Sequence, residues 1–329
     1  MVAVTWIDHG DAAGRLLVAV HHLVVDGVSW RVLVPELVAA YTQCSTGGPV
    51  SLGPVPPGFG AWARELVTLD RSAELDRWRE VAGSVAGQPF RRQVDPAVDR
   101  DAHAVQYRVA IESDAARALL GPVPARSGVA VDDLLLGALG AALPAPTLVD
   151  LEGHGREEQA VPGADLTGSV GWFTAVHPVV VGGTGSTTEQ ARSLTRQRAS
   201  MPDGGLGYGL LRYLAGEELP GAAIEFNYLG RYRSFDFEGW GMAPESAEVG
   251  PGEQMPAAYG LIVNVTTVDG PDGPRLLATW VYQPGVVDAD AVAALADRWA
   301  TELTELAATA SDTASNPDAG SEPDAAGGI

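Results

Sequence analysis

His21-His22-Leu23-Val24-Val25-Asp26-Gly27-Val28-Ser29-Trp30 is the stretch around which the rest of the chain is arranged. Ahead of it, Leu16 to Val20 is an unbroken apolar run of strand length. Behind it, Trp30, Leu33, Val34, Leu37, Val38 and Tyr41 recur at helical spacing and define one helix face. Two histidines therefore stand where a buried strand runs out, just ahead of a tight Asp26-Gly27 turn into a helix. Imidazole is the side chain best suited to moving a proton near neutral pH. A strand end holds such a group rigidly, and a helix start offers free N–H groups to developing negative charge. Successive strand side chains diverge, so only one histidine faces a cleft. This reading gives His22 to the cleft and packs His21 behind it. The residues alone leave two other readings open. The pair can cap a core strand, or His21, His22 and Asp26 can hold a metal, although nothing nearby supplies a third ligand in good geometry.

Composition narrows the classes. With 329 residues and 46% hydrophobic content, the chain can bury a substantial core, and two lobes are the prior expectation. The net charge of −21 argues against nucleic acid or an anionic membrane as partner. All 21 basic residues are arginine. Cys44 is the single cysteine, which excludes an internal disulfide and a cysteine-based metal cluster. No signal-peptide pattern opens the sequence and no apolar run is long enough to span a membrane, so the expected compartment is the cytoplasm.

In chain order, Met1 to Asp8 alternates as a strand, and the His-bearing strand follows. Pro35 inside the next helix suggests that the regular helix starts near Val34, after a looser turn. Ser45 to Gly60 reads as a surface connection, followed by helices from Phe59 to about Leu69 and from Ala73 to Val81. The polar stretch 88–102 is the expected linker between a first lobe, 1–87, and a second, 103–309. Val105 to Ile111 is a strand, Asp114 and Asp132 are expected to cap two helices, and Thr147 to Leu151 is a further strand. That strand runs into Glu152-Gly153-His154-Gly155-Arg156-Glu157, a second titratable side chain at a strand end followed by glycines. Ser186-Thr187-Thr188-Glu189 is a capping box. Ala258 to Val268 and Arg275 to Tyr282 form a hairpin, and Asp288 starts the closing helix. Residues 310–329 lack the apolar residues needed to order themselves and read as a disordered tail.

Taken together, these stretches resemble the condensation superfamily of nonribosomal peptide synthetases. The His21 to Trp30 stretch looks like that superfamily's active-site motif. Glu152-Gly-His-Gly-Arg156-Glu157, Val170-Gly-Trp-Phe-Thr174, Gly207-Tyr-Gly-Leu-Leu-Arg-Tyr-Leu214 and Phe226-Asn-Tyr-Leu-Gly230 look like the ordered motif series of its epimerization domains. The resemblance implies an α/β fold, a two-lobed sandwich like chloramphenicol acetyltransferase with a channel between the lobes. It implies epimerization at the Cα of an aminoacyl or peptidyl thioester, carried on the phosphopantetheine arm of a peptidyl carrier domain, with no cofactor of the chain's own. His22 and Glu152 are then the two proton-transfer groups, and the order of their action is open. Asn227, Tyr228 and Trp172 are the implied substrate-binding residues. His21, Asp26, Gly27 and Arg156 shape the site, with Asp26 held against an arginine, and no metal is implied.

Two departures accompany the resemblance. The family carries a long segment before the His-His motif, so the first lobe is expected to be truncated here, with an upstream chain supplying the rest or with activity lost. Leu143-Pro-Ala-Pro146 also replaces a longer connection. The competing readings are a condensation domain that forms peptide bonds and an inactive carrier-binding fragment. Trp172-Phe173-Thr174 and the Phe226 to Gly230 motif argue against the first of these.

Overall fold

Alternating apolar residues in the strands from Val105 onward dictate one large sheet. The computed structural model describes residues 1–85, 90–232, 237, 239–243 and 254–314. The first part holds strands β1 (Val2–Ile7) and β2 (Arg15–Val20), then helices α1 (Gly27–Ser45), α2 (Phe59–Leu66) and α3 (Leu75–Gly83). Next come β3 (Val105–Ile111), α4 (Ser113–Leu120), α5 (Pro122–Ser127), α6 (Val131–Ala142), β4 (Thr147–Gly153), β5 (Ala175–Val181) and α7 (Thr187–Ala199). A short turn of helix, α8 (Leu206–Gly209), precedes β6 (Ile224–Tyr232), β7 (Leu261–Gly270), β8 (Gly273–Tyr282) and α9 (Ala289–Ala314).

The six later strands form one sheet in the order β3-β8-β7-β6-β4-β5. Among the described residues only β4/β6 and β6/β7 pair in parallel. This is a mixed α/β fold with a large open sheet. Val149, Leu151, Phe226, Val263 and Trp280 belong to its principal core, which α4, α6 and α9 also supply with side chains. Trp299 of α9 meets Trp280 edge-on, with centroids 5.9 Å apart, and donates its indole N–H to the Leu135 carbonyl at 2.9 Å. Alternation puts Asp150, Glu152, Glu225, Asn227 and Asn264 on the opposite face of the same strands.

The first part is attached to the second by tryptophans. Trp62 of α2 packs with Leu166, Phe173, Ala175 and Leu206. Trp78 of α3, fully buried, packs with Met201, Tyr208, Leu211 and Leu219. Among the described residues, strands β1 and β2 pair only with each other, and Val2, Val4, Trp6 and Leu17 are exposed. The apolar run before the histidines is thus only partly buried: Leu16, Val18 and Val20 are half-buried and Leu17 is exposed.

Several local expectations shift. α1 continues unbroken from Gly27 through Pro35 rather than starting near Val34. Asp114 and Asp132 lie inside first turns, where they complement the helix dipole, while Glu112 and Ala130 occupy the N-caps. The Ser186–Glu189 capping box is present as read. α9 runs to Ala314, past the boundary set at 310, and residues 315–329 of the expected tail lie outside the described residues, as do 86–89 at the lobe boundary.

Candidate functional site

Asp26 caps α1 and organises the site. Its carboxylate accepts the Ser29 N–H at 2.8 Å and the Phe173 N–H at 3.1 Å. The Ser29 hydroxyl lies 2.8 Å from Asp26 Oδ1 and 3.0 Å from the Gly171 carbonyl oxygen, and it accepts the Gly171 N–H. Arg156 closes the knot with two bonds to Asp26, at 2.7 and 3.0 Å, and a third to the Ser169 carbonyl. Its guanidinium also lies 4.3 Å over the Phe173 ring. Burial alone would raise the Asp26 carboxyl, but the Arg156 bond, followed by those from Ser29 and Phe173, holds it below the usual carboxylate range. The expected arginine partner of Asp26 is therefore Arg156.

This knot joins the His motif to the loop that carries Trp172. His22 starts a short 3-10 turn, His22–Val24, just past the end of β2. Its ring meets that of Trp172 at a centroid distance of 4.9 Å. Glu152 stands near the end of β4. Desolvation raises its carboxyl above the usual range, and neighbouring His22 offsets this in part. An imidazole from the first part of the chain thus lies within electrostatic reach of a carboxyl from the second. Gly155 turns the chain back after Glu152 with a φ of +62°, and a Cβ there would lie 1.7 Å from the Phe173 carbonyl oxygen. Glycine is required at that point.

Two of the expected shaping residues sit differently. His21 is exposed rather than packed behind His22, and its Nδ1 accepts the Leu23 N–H at 3.2 Å. The chain has already left the strand there, so the expected divergence across a pleat does not apply. Gly27 is the first residue of α1, with open space where a Cβ would go. Asp26-Gly27 is a helix start, not a tight turn.

Asn227 and Tyr228 are adjacent on β6 and point to opposite faces. Asn227 reaches the Asn264 side chain at 3.3 Å, whereas the Tyr228 hydroxyl is 2.9 Å from Thr267 Oγ1 on the core side. The strand does not bring their polar ends together. Behind Glu152, Asp150 and Glu225 are paired by the parallel register of β4 and β6, and both are buried. Tyr259 donates to Asp150 Oδ2 at 3.1 Å. Burial first, then the Glu152 and Asp150 carboxylates, push Glu225 up to about 8. The sequence reading missed Ser29, although its place three residues after Asp26 is the capping-box signal. It also missed Asp150 and Glu225, whose meeting depends on strand register.

His177 on β5 is buried, 6.0 Å from the Trp78 ring centroid, and neither ring nitrogen has a hydrogen-bond partner among the described residues. Burial, aided by Arg198, lowers its pKa from 6.5 to about 4. The unfolded imidazole takes up its proton near 6.5, whereas the folded one resists until about 4. Stability from this group is therefore full above 6.5 and falls with pH across that window, by about 3 kcal/mol in all. In His177→Gln that part of the acid loss should disappear, as read from urea midpoints at neutral and acid pH. An undiminished acid loss in the variant would show that the imidazole is not buried in its neutral form.

The comparisons with known proteins fit this geometry. The condensation domain family model matches residues 1–326, and the chain belongs to that family, in the condensation-domain superfamily of nonribosomal peptide synthetases. A linear gramicidin synthase protein of Brevibacillus parabrevis is 37% identical over 252 residues, which is 70% of this chain and 5% of that protein. Chondramide synthase cmdD of Chondromyces crocatus is 36% identical over 319 residues, 90% of this chain and 8% of that protein. The chain thus spans a small fraction of these relatives. Among solved structures, the epimerization domain from the third module of tyrocidine synthetase B matches with a TM-score of 0.80 at 27% identity, covering 94% of this chain and 72% of that one. The first condensation domain of the CDA synthetase matches with a TM-score of 0.66 at 16% identity, covering 93% and 67%. Among the described residues no helix is long and apolar enough to cross a membrane.

Proposed function

We propose that this chain epimerises the Cα of an aminoacyl or peptidyl thioester presented on the phosphopantetheine of a peptidyl carrier domain. The observation that carries this reading is that His22 lies within electrostatic reach of Glu152, an imidazole and a carboxyl of raised pKa from separate parts of the chain. Inversion requires one group to take a proton from Cα and a second to deliver one to the other face. A thioester makes that Cα–H more acidic than an amide does, because sulfur donates less to the carbonyl. A carboxyl whose pKa burial raises above the usual carboxylate range suits either half of the exchange. Trp172 against His22 supplies an apolar wall, and Asn227 stands on the strand beside Glu152 as a donor for the enolate oxygen. The 27% identity to a solved epimerization domain supports the same assignment. The reaction draws on no cofactor beyond the phosphopantetheine that brings the substrate.

The test is deuterium uptake at Cα of a carrier-bound aminoacyl thioester in heavy water, followed by mass spectrometry, with chiral analysis of the released amino acid. Exchange with loss of stereochemical purity supports the reading. Amide formation with an added acceptor thioester, without exchange, would assign the chain to the peptide-bond-forming branch instead.

A further inference from the structure

An asparagine amide can serve an enolate oxygen only with its nitrogen end turned toward it. The carbonyl and NH2 ends of that amide are nearly the same size, so shape alone does not select between them, whereas a hydrogen bond to one end does. Among the described residues the one hydrogen-bond partner of the Asn227 side chain is Asn264 of β7, whose Oδ1 accepts from Asn227 Nδ2 at 3.3 Å. Asn227 is 9% exposed, which leaves little water to replace that partner. The parallel register makes the two residues direct Cα partners, within a regular run from Ile224 to Tyr228 that shifts by Arg231. Val263 and Val265 flank Asn264 and belong to the core, so alternation puts Asn264 on the same face as Asn227 and Glu152. Both asparagines stand in interior strands of the sheet. Asparagine is disfavoured in strands, and two that meet in register are a local cost. Breaches of local preference of this kind concentrate at functional sites. Asn264 lies outside the sequence motifs.

We propose that Asn264 is a positioning residue for the reaction, its side-chain oxygen fixing the Asn227 amide so that an N–H, and not the carbonyl, meets the enolate oxygen. The proposal rests on the epimerase reading and deepens it. Asn227 Nδ2 carries two hydrogens. One goes to Asn264, and the other stays available on the same nitrogen. The amide oxygen, which would repel an enolate, is thereby kept from taking that place. A valine at 264 would suit the strand better but offers the Asn227 amide no acceptor. In this role Asn264 acts only through Asn227, so its loss slows the chemical step and leaves substrate binding nearly as it was.

The experiment measures Cα exchange by the full chain on a carrier-bound aminoacyl thioester. Asn264→Val is expected to lower the saturated exchange rate by at least about tenfold, with KM changed by less than about threefold. Its melting temperature should stay close to that of the unaltered chain, because valine suits a strand. Asn227→Ala should lower the rate by about a hundredfold, and adding Asn264→Val to it should cost nothing further. Losses that multiply in the double variant, or a full rate in Asn264→Val, would overturn the proposal. Asn264→Ala takes the place of Asn264→Val should the latter not fold. A second readout needs no turnover. The Asn227 side-chain NH2 resonances, assigned by their disappearance in Asn227→Ala, should move toward free-amide positions in Asn264→Val. Unmoved resonances would also overturn the proposal. If they move but the unaltered chain exchanges nothing, Asn264 stands as the residue that orients Asn227 and the epimerase reading falls.

Discussion

Replacing His22 with Ala, or Glu152 with Gln, is expected to lower Cα deuterium exchange by at least about a hundredfold while leaving the fold intact. Both side chains are exposed to the cleft, so neither substitution opens a cavity in the core. His22→Ala removes the partner of Trp172 and one proton carrier. Glu152→Gln keeps shape and hydrogen-bonding capacity but cannot titrate. If the two groups act on opposite faces of Cα, the variants should differ in kind. Starting from L and from D substrate separately, each should block proton removal from one face, so the two variants lose wash-out of label from opposite enantiomers. The raised Glu152 carboxyl adds a pH signature. Its protonated form persists above the usual carboxylate range, so an exchange limb assigned to it should titrate above that range and vanish in Glu152→Gln. Full exchange in either folded variant would remove that residue from the chemistry.

The acidic pair behind Glu152 explains why part of the site could be read from sequence and part could not. The His motif, the Glu152 strand end and the Ser186 capping box are local patterns, with a few residues and one period each, and they appear where the spacing puts them. The Asp26–Arg156 pair was also foreseeable in kind, because a carboxylate at a buried helix start needs a cation or N–H donors. What escaped reading depends on contacts made by distant strands. Asp150 and Glu225 meet only through the parallel register of β4 with β6. His21 was placed by strand alternation, but the strand ends at Val20 and the rule lapses one residue later. Asn227 and Tyr228 show the reverse error. They sit within a strand, and alternation already implied that their side chains part.

Breaking the Asp26–Arg156 pair should have the largest effect on stability. In Arg156→Met the apolar stem keeps its volume, yet Asp26, 4% exposed, loses two charge-assisted bonds. A buried carboxylate left without its cation costs about 3–5 kcal/mol. Asp26→Asn is expected to cost a similar amount, because it strands a guanidinium whose side chain is 10% exposed. The double variant should lose clearly less than the sum of the two singles, since each remaining group no longer has a buried charge to leave unpaired. The pH dependence follows with a definite sign. Asp26 titrates lower in the folded protein than in the unfolded chain, so its stabilisation is present above the unfolded value of 3.8 and is lost as pH falls through the folded one. Arg156→Met should remove that acid-sensitive part. Exchange should behave differently from stability. The knot fixes Gly171 and Phe173 on either side of Trp172, and Trp172 lies against His22. A displacement of about 1 Å there is enough for a loss of about a hundredfold in rate. Pairing two neutral residues restores part of the stability without restoring the hydrogen bonds from Arg156 to the Ser29 hydroxyl and the Ser169 carbonyl. The double variant should therefore fold nearly as well as the better single and still exchange slowly. Additive stability losses, or a double variant that recovers exchange along with stability, would show that the pair acts as two independent surface-like charges and not as the clasp that sets His22.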